Sequence, residues 1–252
     1  MPRSSQKTNS DQPDPFAQTV VTRRFIGWEK PLVHAVAAHL AADWNGNGAL
    51  DLSEWLVVVP TRNASRRLRE ALAVHAATQG AAVLPPLTLT PDFLTSPDRI
   101  ADIQAAGQVE TLLLWSAELL RIDLDDYRHL FPVDPVERNF TWALKTATDL
   151  LQVRETLNEN GLSLADAARL LENSEMEPER WRDLANLENE CVSATEANGF
   201  TDWQVARRRA ATTGTLPVGV KRIVIAGVLD PSVLATRALE RHARQIPVEV
   251  LI

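Results

Sequence analysis

The sequence predicts an α/β fold in which a parallel sheet is interrupted by a large all-helical insertion. Strand and helix signals alternate over residues 23–97, strand signals vanish over residues 98–213, and the alternation resumes over residues 214–252. Alternating strands and helices are typical of a parallel sheet covered by helices. We therefore expect two parts of one α/β domain around a helical subdomain.

The first part begins after residues 1–22, which are polar and proline-containing and are expected to form a disordered arm. Apolar residues at helical spacing follow Pro31, a residue favoured in a first helical turn. The apolar run 56–59 stops at Pro60 and is typical of a strand buried on both faces. A helix over 64–79 and short strand signals at 82–84 and 87–89 complete a βαβ unit.

The middle of the chain shows helical periodicity with a cap or breaker before each segment. The second α/β part then adds a strand at 222–226, a helix at 232–244 and a strand at 248–252. Because the chain stops inside an apolar strand, we expect it to be a piece of a longer protein. The predicted insertion helices span residues 103–120, 136–158, 163–171, 178–197 and 202–211.

Composition narrows the class of protein. The 252 residues are 45% hydrophobic and 23% charged, as in ordinary globular proteins. Cys191 is the single cysteine, so neither an internal disulfide nor a zinc or iron–sulfur site is expected. The sequence also lacks a signal peptide's apolar core and the run of about 18 apolar residues that a membrane span requires. These features predict a cytoplasmic protein without a membrane partner.

The net charge of -7 argues against a protein whose whole surface binds nucleic acid, because such binding depends on Lys and Arg neutralising phosphates. The acidic residues, however, are concentrated in the middle of the chain. Residues 91–200 hold 9 basic and 22 acidic side chains, whereas residues 1–90 hold 9 and 7, and residues 201–252 hold 8 and 4. This distribution of charge is therefore compatible with DNA contact by the α/β parts.

Particular segments resemble helicase motifs. Residues 55–70 combine a strand, a Thr-x-x-Ala turn at 61–64 and a helix, and this arrangement resembles motif Ia of superfamily 1 helicases. Residues 222–252 are similar to the motif II strand, the following helix and the motif III strand. With residues 25–32 and 84–86, the order of elements resembles the N-terminal part of AddB-type (RexB-like) subunits of bacterial helicase–nuclease recombination complexes. This resemblance covers nearly all of residues 23–252 and implies a RecA-like, P-loop NTPase-like fold with an accessory helical subdomain.

The departures from that pattern imply a degenerate motor. A phosphate-binding loop needs Gly-x-x-x-x-Gly-Lys-Ser/Thr, whereas Gly27-Trp28-Glu29-Lys30-Pro31 stands in its place. Ala226-Gly227 likewise replaces the acids that hold magnesium and orient water. We therefore expect no ATP binding, no cofactor and no enzymatic activity in this chain, and the family's nuclease would lie beyond residue 252.

The resemblance to motif Ia also implies DNA-binding residues. Active relatives touch single-stranded DNA at this turn, and a helix N-terminus favours phosphate. Arg69 extends the basic side of this helix, and the alternative is that these arginines form an ordinary solvated helix face. For the second basic cluster, at 207–209, the solvated face is the favoured interpretation. The implied DNA-binding residues are Thr61, Arg62, Asn63, Arg66 and Arg67.

A separate pattern matches the EF-hand calcium loop, Asp-x-Asn-x-Asn-Gly-x5-Glu, over residues 43–54. The segment that follows is strand-like, so the second helix of an EF-hand is missing, and an ordinary Asn/Gly-rich turn is the alternative. The candidate calcium ligands are Asp43, Asn45, Asn47, Asp51 and Glu54.

Together these features predict a non-catalytic helicase-like domain of a DNA-repair nuclease subunit, with a scaffolding role and a role in handling single-stranded DNA. Its expected partners are single- or double-stranded DNA and a helicase–nuclease partner subunit. Two alternatives stay open. One is a small-molecule or nucleotide-binding α/β enzyme with its ligand near Thr61 and Ala226. The other is a protein-interaction module that uses the acidic insertion.

Overall fold

The computed structural model describes residues 21–27 and 29–252, and it has an α/β architecture with a parallel five-stranded sheet. The strands are β1 (Val21–Arg24), β2 (Leu50–Asp51), β3 (Trp55–Val58), β4 (Val83–Leu84), β5 (Leu87–Leu89), β6 (Arg222–Ala226) and β7 (Val248–Leu251). The helices are α1 (Leu32–Leu40), α2 (Arg62–Ala77), α3 (Gln108–Arg121), α4 (Phe140–Glu159), α5 (Leu164–Leu171), α6 (Pro178–Ala197), α7 (Trp203–Thr213) and α8 (Val233–Ala243).

The main sheet joins strands from both ends of the chain. Its order is β1-β7-β6-β3-β5, and every neighbouring pair is parallel. The short strands β2 and β4 pair separately. This arrangement confirms the predicted α/β class and is compatible with a Rossmann-like or RecA-like core.

Both faces of the central strands β3 and β6 are buried, which explains their continuous apolar runs. Val57, Val224 and Leu251 pack on the side of α1 and α2. Leu56 and Ile223 point the other way, into a core with α8 and the end of α7. Because side chains alternate along a strand, each short strand supplies both cores.

Three predicted boundaries are wrong, and one of them is the start of the helix expected at 136–158, which begins at Phe140 after its cap Asn139. Residues 1–20 of the predicted arm lie outside the described residues, but Val21 and Thr22 belong to β1, which pairs with β7. The sequence signal is weak there because all four residues of β1 are exposed. The helix expected from residue 103 begins at Gln108, since the backbone of residues 104–106 bonds instead to Thr201. No helix within the described ranges is long and apolar enough to cross a membrane.

The insertion has a core of its own. Helices α3 to α6 enclose Trp115, Leu119, Leu164 and Leu187, all nearly or fully buried. The last helix, α7, leaves this bundle and places Ala211 in the core beneath the sheet. The end of the insertion is thus packed on the α/β part.

Arg154 lies at the centre of the bundle and is fully buried. Its Nη1 and Nη2 atoms donate to the two carboxylate oxygens of Asp202 at 2.8 Å, and its Nε donates to Glu188 at 2.5 Å. Asp202 also accepts from the first backbone N–H groups of α7, and Glu188 accepts from the N–H of Leu164. Burial lowers the pKa of Arg154, but the hydrogen bonds and charges of both carboxylates outweigh burial and leave the pKa above its ordinary value.

A second buried charge, that of Glu249 on β7, is surrounded by basic side chains from three neighbouring elements. Its carboxylate, 3% exposed, accepts from Arg222 on β6 at 2.6 Å and lies 3.0 Å from His39 on α1 and 3.4 Å from Arg24 on β1. Burial raises the pKa of Glu249, but His39 and Arg222 outweigh burial and hold the pKa below its ordinary value of 4.5. The ionised carboxylate therefore stabilises the packing of three elements around β7.

We expect Arg154→Met to lower the free energy of unfolding by about 3–5 kcal/mol, because the change leaves two carboxylates buried without their cation. Urea denaturation monitored by circular dichroism measures the loss. Arg169→Met is the control: Arg169 is 75% exposed and pairs with Asp166, so its loss should cost about 0–1 kcal/mol. Equal losses in the two variants would contradict a central role for Arg154.

We expect Glu249→Gln to lower the free energy of unfolding by roughly 1.5–3 kcal/mol at pH 7. A carboxyl whose pKa is lower in the folded state stabilises above its unfolded pKa and loses that contribution as the pH falls through the folded pKa. The difference between wild type and variant should therefore shrink below about pH 4.5. Denaturation curves recorded between pH 3 and 7 measure this difference in the free energy of unfolding. A difference that stays constant over this range would show that ionisation of Glu249 does not contribute to stability.

Candidate functional site

The carboxyl ends of the parallel strands meet at one edge of the sheet, where ligands of open α/β sheets usually bind. Four turns meet there, each following a strand and three of them leading into a helix. They begin at Gly27 after β1, Pro60 after β3, Thr90 after β5 and Gly227 after β6. The segments that resemble helicase motifs therefore lie side by side along this edge.

The turn after β3 prepares a helix N-terminus. The hydroxyl of Thr61 accepts from the N–H of Ala64 at 3.1 Å and caps α2. The N–H groups of Arg62 and Asn63 precede the first intrahelical bond and point out of the helix end. Because the first turn contains no acidic residue, this end of α2 presents an uncompensated positive dipole.

The structure separates the arginines that the sequence grouped together. Arg62 and Arg69 line a cleft and form no salt bridge with any described residue. Arg66 instead pairs with Glu70 at 3.4 Å and donates to Asn63 at 3.2 Å. Arg67 lies on the other side of α2, beside α1. Of the five implied DNA-binding residues, Arg62 therefore lies in the lining of the cleft, and Arg69 joins it there.

The cleft has a volume of about 790 Å³ and lies between α2 and the insertion. Arg62, Arg69 and the buried Ser65 line it from α2, and the Ser65 hydroxyl lies 2.5 Å from that of Thr88 on β5. The remaining lining includes Phe93, a residue of the 3-10 turn Pro91–Thr95. On the insertion side the cleft is lined by Gln108, Glu155, Glu159, Trp203 and Arg207.

The insertion side was missed by the sequence reasoning. Glu155 and Glu159 lie one turn apart on α4, and Trp203 is the first residue of α7. These residues are 78 or more positions beyond the end of α2 along the chain, and no motif marks them. The only sequence signal for the two glutamates is their i, i+4 spacing, which places them on one face of α4.

The turn after β1, which stands where a phosphate loop would lie, borders an apolar groove. The groove has a volume of about 280 Å³ and is lined largely by apolar residues of α1, α2 and the strand ends, with Arg67 at its margin. Trp28 lies outside the described residues. Ala226 and Leu32 both line this groove, and no described residue of its lining carries a carboxylate that could hold magnesium.

Gly227, which the resemblance to helicases aligns with an acid of motif II, adopts a left-handed backbone with φ of 66°. A Cβ atom there would lie 2.5 Å from Leu32 Cδ2. A side chain at this position would therefore have to displace Leu32 and adopt a backbone conformation that favours glycine.

Between the groove and the cleft, the edge is acidic. A cavity of about 360 Å³ is lined by Asp92, Glu159 and Asp230, together with Leu229, which is 91% exposed. Carboxylates repel phosphate groups. Asp92 and Glu159 also line the cleft, so the basic groups at this edge are concentrated on α2.

The EF-hand-like segment folds as a turn followed by a strand. Asn45 accepts from the N–H of Asn47, Asp51 lies in β2 and accepts two hydrogen bonds from Ser53, and Glu54 pairs with Lys221 at 2.5 Å. Across the described ranges, no three His, Cys, Asp or Glu side chains are grouped to hold a metal. Calcium binding through Asp43 and these residues stays a prediction, which the observed turn does not favour.

Other residues have structural roles. Arg207 is buried and pairs with Glu159 at 2.5 Å, and Arg208 donates to Asn158 at 3.1 Å, in line with the ordinary helix expected there. Burial raises the pKa of the Cys191 thiol, which keeps it protonated and unreactive.

Comparison of the sequence with models of known protein families and with curated proteins gives no match. The fold and the geometry of this edge are therefore the basis of the function proposed below.

We expect Gly227→Ala to lower the free energy of unfolding by about 1–2 kcal/mol, because the left-handed backbone is strained for any residue with a Cβ. The cost should fall, but not vanish, in a Leu32→Ala background, where the close contact is absent. Urea denaturation of the four proteins of this cycle tests the expectation. A cost near zero in both backgrounds would show that residue 227 can accept a side chain.

Proposed function

We propose that this chain is a non-catalytic, helicase-like domain that serves as a scaffold and handles single-stranded DNA within a DNA-repair nuclease. The observation that carries the proposal is the position of Arg62 and Arg69. Both cations line the cleft beside the open end of α2, and neither has a salt-bridge partner among the described residues. A helix N-terminus with unpaired arginines suits the phosphates of a DNA strand.

Two further observations support the helicase-like reading. The strands that resemble those of motifs Ia, II and III are β3, β6 and β7, and they are neighbours in one parallel sheet. The first α/β part and the second enter the same sheet, with the insertion between them, as the resemblance implies. A motor subunit as partner belongs to the same proposal.

The non-catalytic part of the proposal rests on the chemistry of the edge. Phosphoryl transfer needs donors around the β- and γ-phosphates and acids that hold magnesium. The groove beside α1 is apolar, Ala226 and Gly227 carry no carboxylate, and the adjoining cavity is acidic. Magnesium-dependent ATP hydrolysis by the purified chain would contradict this part.

We expect the Arg62→Gln/Arg69→Gln variant to bind a labelled oligo-dT 20-mer more weakly and with less salt dependence. Each arginine that contacts a phosphate contributes about 0.7 to the slope of log K against log salt for a single strand. Fluorescence anisotropy from roughly 50 to 200 mM salt measures both quantities.

Arg66→Gln is the matched control on the same helix, because Arg66 is already paired with Glu70. It should change the slope much less than the double variant. Absence of binding by the wild type at low salt, or equal slopes in all three proteins, would refute DNA binding in this cleft.

A further inference from the structure

We propose that the cleft orients a single DNA strand with its phosphates on α2 and its bases toward the insertion, and that Glu155 excludes a duplex. The inference rests on the proposed function, because it specifies how the same cleft would hold its ligand. Three features of the cleft support it: the charge of its two sides, the aromatic residue on the insertion side and the buried ion pair.

The two sides of the cleft differ in charge. The side formed by α2 presents Arg62 and Arg69, whereas α4 contributes Glu155 and Glu159. No salt bridge within 4 Å joins the two sets among the described residues. The sides therefore attract different groups of a nucleotide: phosphates favour the α2 side and are repelled from the α4 side.

The insertion side offers partners suited to bases. Trp203 is half-buried in the lining and presents an aromatic surface, whereas the ring of Phe93, outside the insertion, is covered by the Arg99 guanidinium 4.5 Å from its centre. Stacking on an aromatic side chain is the usual way in which proteins hold unpaired bases. The Glu155 carboxylate and the Gln108 amide supply polar groups beside these rings.

Arg207 does not convert the insertion side into a second phosphate site. Its guanidinium is only 8% exposed and pairs with Glu159 at 2.5 Å, with a further hydrogen bond to Thr95. The ion pair neutralises that cation and holds Glu159 at the wall. Glu155, one turn away and exposed, is left as an unpaired negative charge among the described residues.

These features discriminate against a duplex. In B-DNA the second backbone lies across a groove roughly 6–12 Å wide, so a duplex held by α2 would direct further phosphates at the insertion side. A single strand carries one backbone and exposes its bases, which matches the two sides of the cleft. Glu155 is therefore a specificity residue and Trp203 a base-contacting residue.

The first experiment compares affinities for a 20-nucleotide single strand and a 20-base-pair duplex. We expect Glu155→Gln to raise the ratio of duplex affinity to single-strand affinity roughly threefold relative to the wild type. Glu172→Gln is the matched control, because it removes one exposed negative charge of the insertion outside the cleft lining, and it should raise both affinities equally. An unchanged ratio in Glu155→Gln, or the same change in the control, would overturn the exclusion of the duplex.

The second experiment tests the direction of the bases. Trp203→Ala should weaken binding of the single strand at least about fivefold without changing its salt slope, and Trp203→Phe should retain most of the affinity. A strand of abasic nucleotides keeps its phosphates but has no bases, so Trp203→Ala should not affect its binding. Equal losses for normal and abasic strands would mean that the variant disturbs the fold or the phosphate side, and would overturn the orientation.

The outcomes separate this inference from the proposed function. If the wild type does not bind a single strand through Arg62 and Arg69, both fail. If it binds in that way but the duplex ratio and the abasic strand show no dependence on Glu155 and Trp203, the proposed function stands and only the orientation is rejected.

Discussion

The buried guanidinium of Arg154 is the constraint on which the candidate site depends. Removing a guanidinium from water costs several kcal/mol, and two carboxylates with ideally placed oxygens offset that cost. Because Asp202 also caps α7 and Glu188 binds the start of α5, one cation fixes four helices relative to each other. The same bonds set the positions of Trp203, which follows Asp202, and of Glu155, which follows Arg154.

The parallel sheet contributes the other side of the site. It aligns four turns along one edge, yet it gives each turn different chemistry: apolar beside α1, acidic in the middle and basic at α2. This division is what the proposed function requires, since in that proposal one line of phosphates lies along α2 and no triphosphate is bound.

Elements with a strong periodic signal could be predicted from the sequence. The central strands were found because burial on both faces requires continuous apolar runs, and α2, α5 and α6 because caps and breakers define their ends. Strand β1 was missed because an exposed edge strand needs no apolar side chains. The loop at 43–54 could not be assigned from the sequence, because Asn, Asp and Gly serve an ordinary turn as well as a calcium site.

The sequence by itself determined the α/β class, the helical insertion and a basic helix after β3, since these depend on local periodicity and on the order of elements. Only the tertiary structure decided which arginines are available, because pairing of Arg66 with Glu70 and of Arg207 with Glu159 depends on side-chain positions in space. It also decided that Glu155 and Trp203 line the same cleft as Arg62. Residues that far apart in the chain meet only through the packing of the insertion on the sheet, which no local pattern encodes.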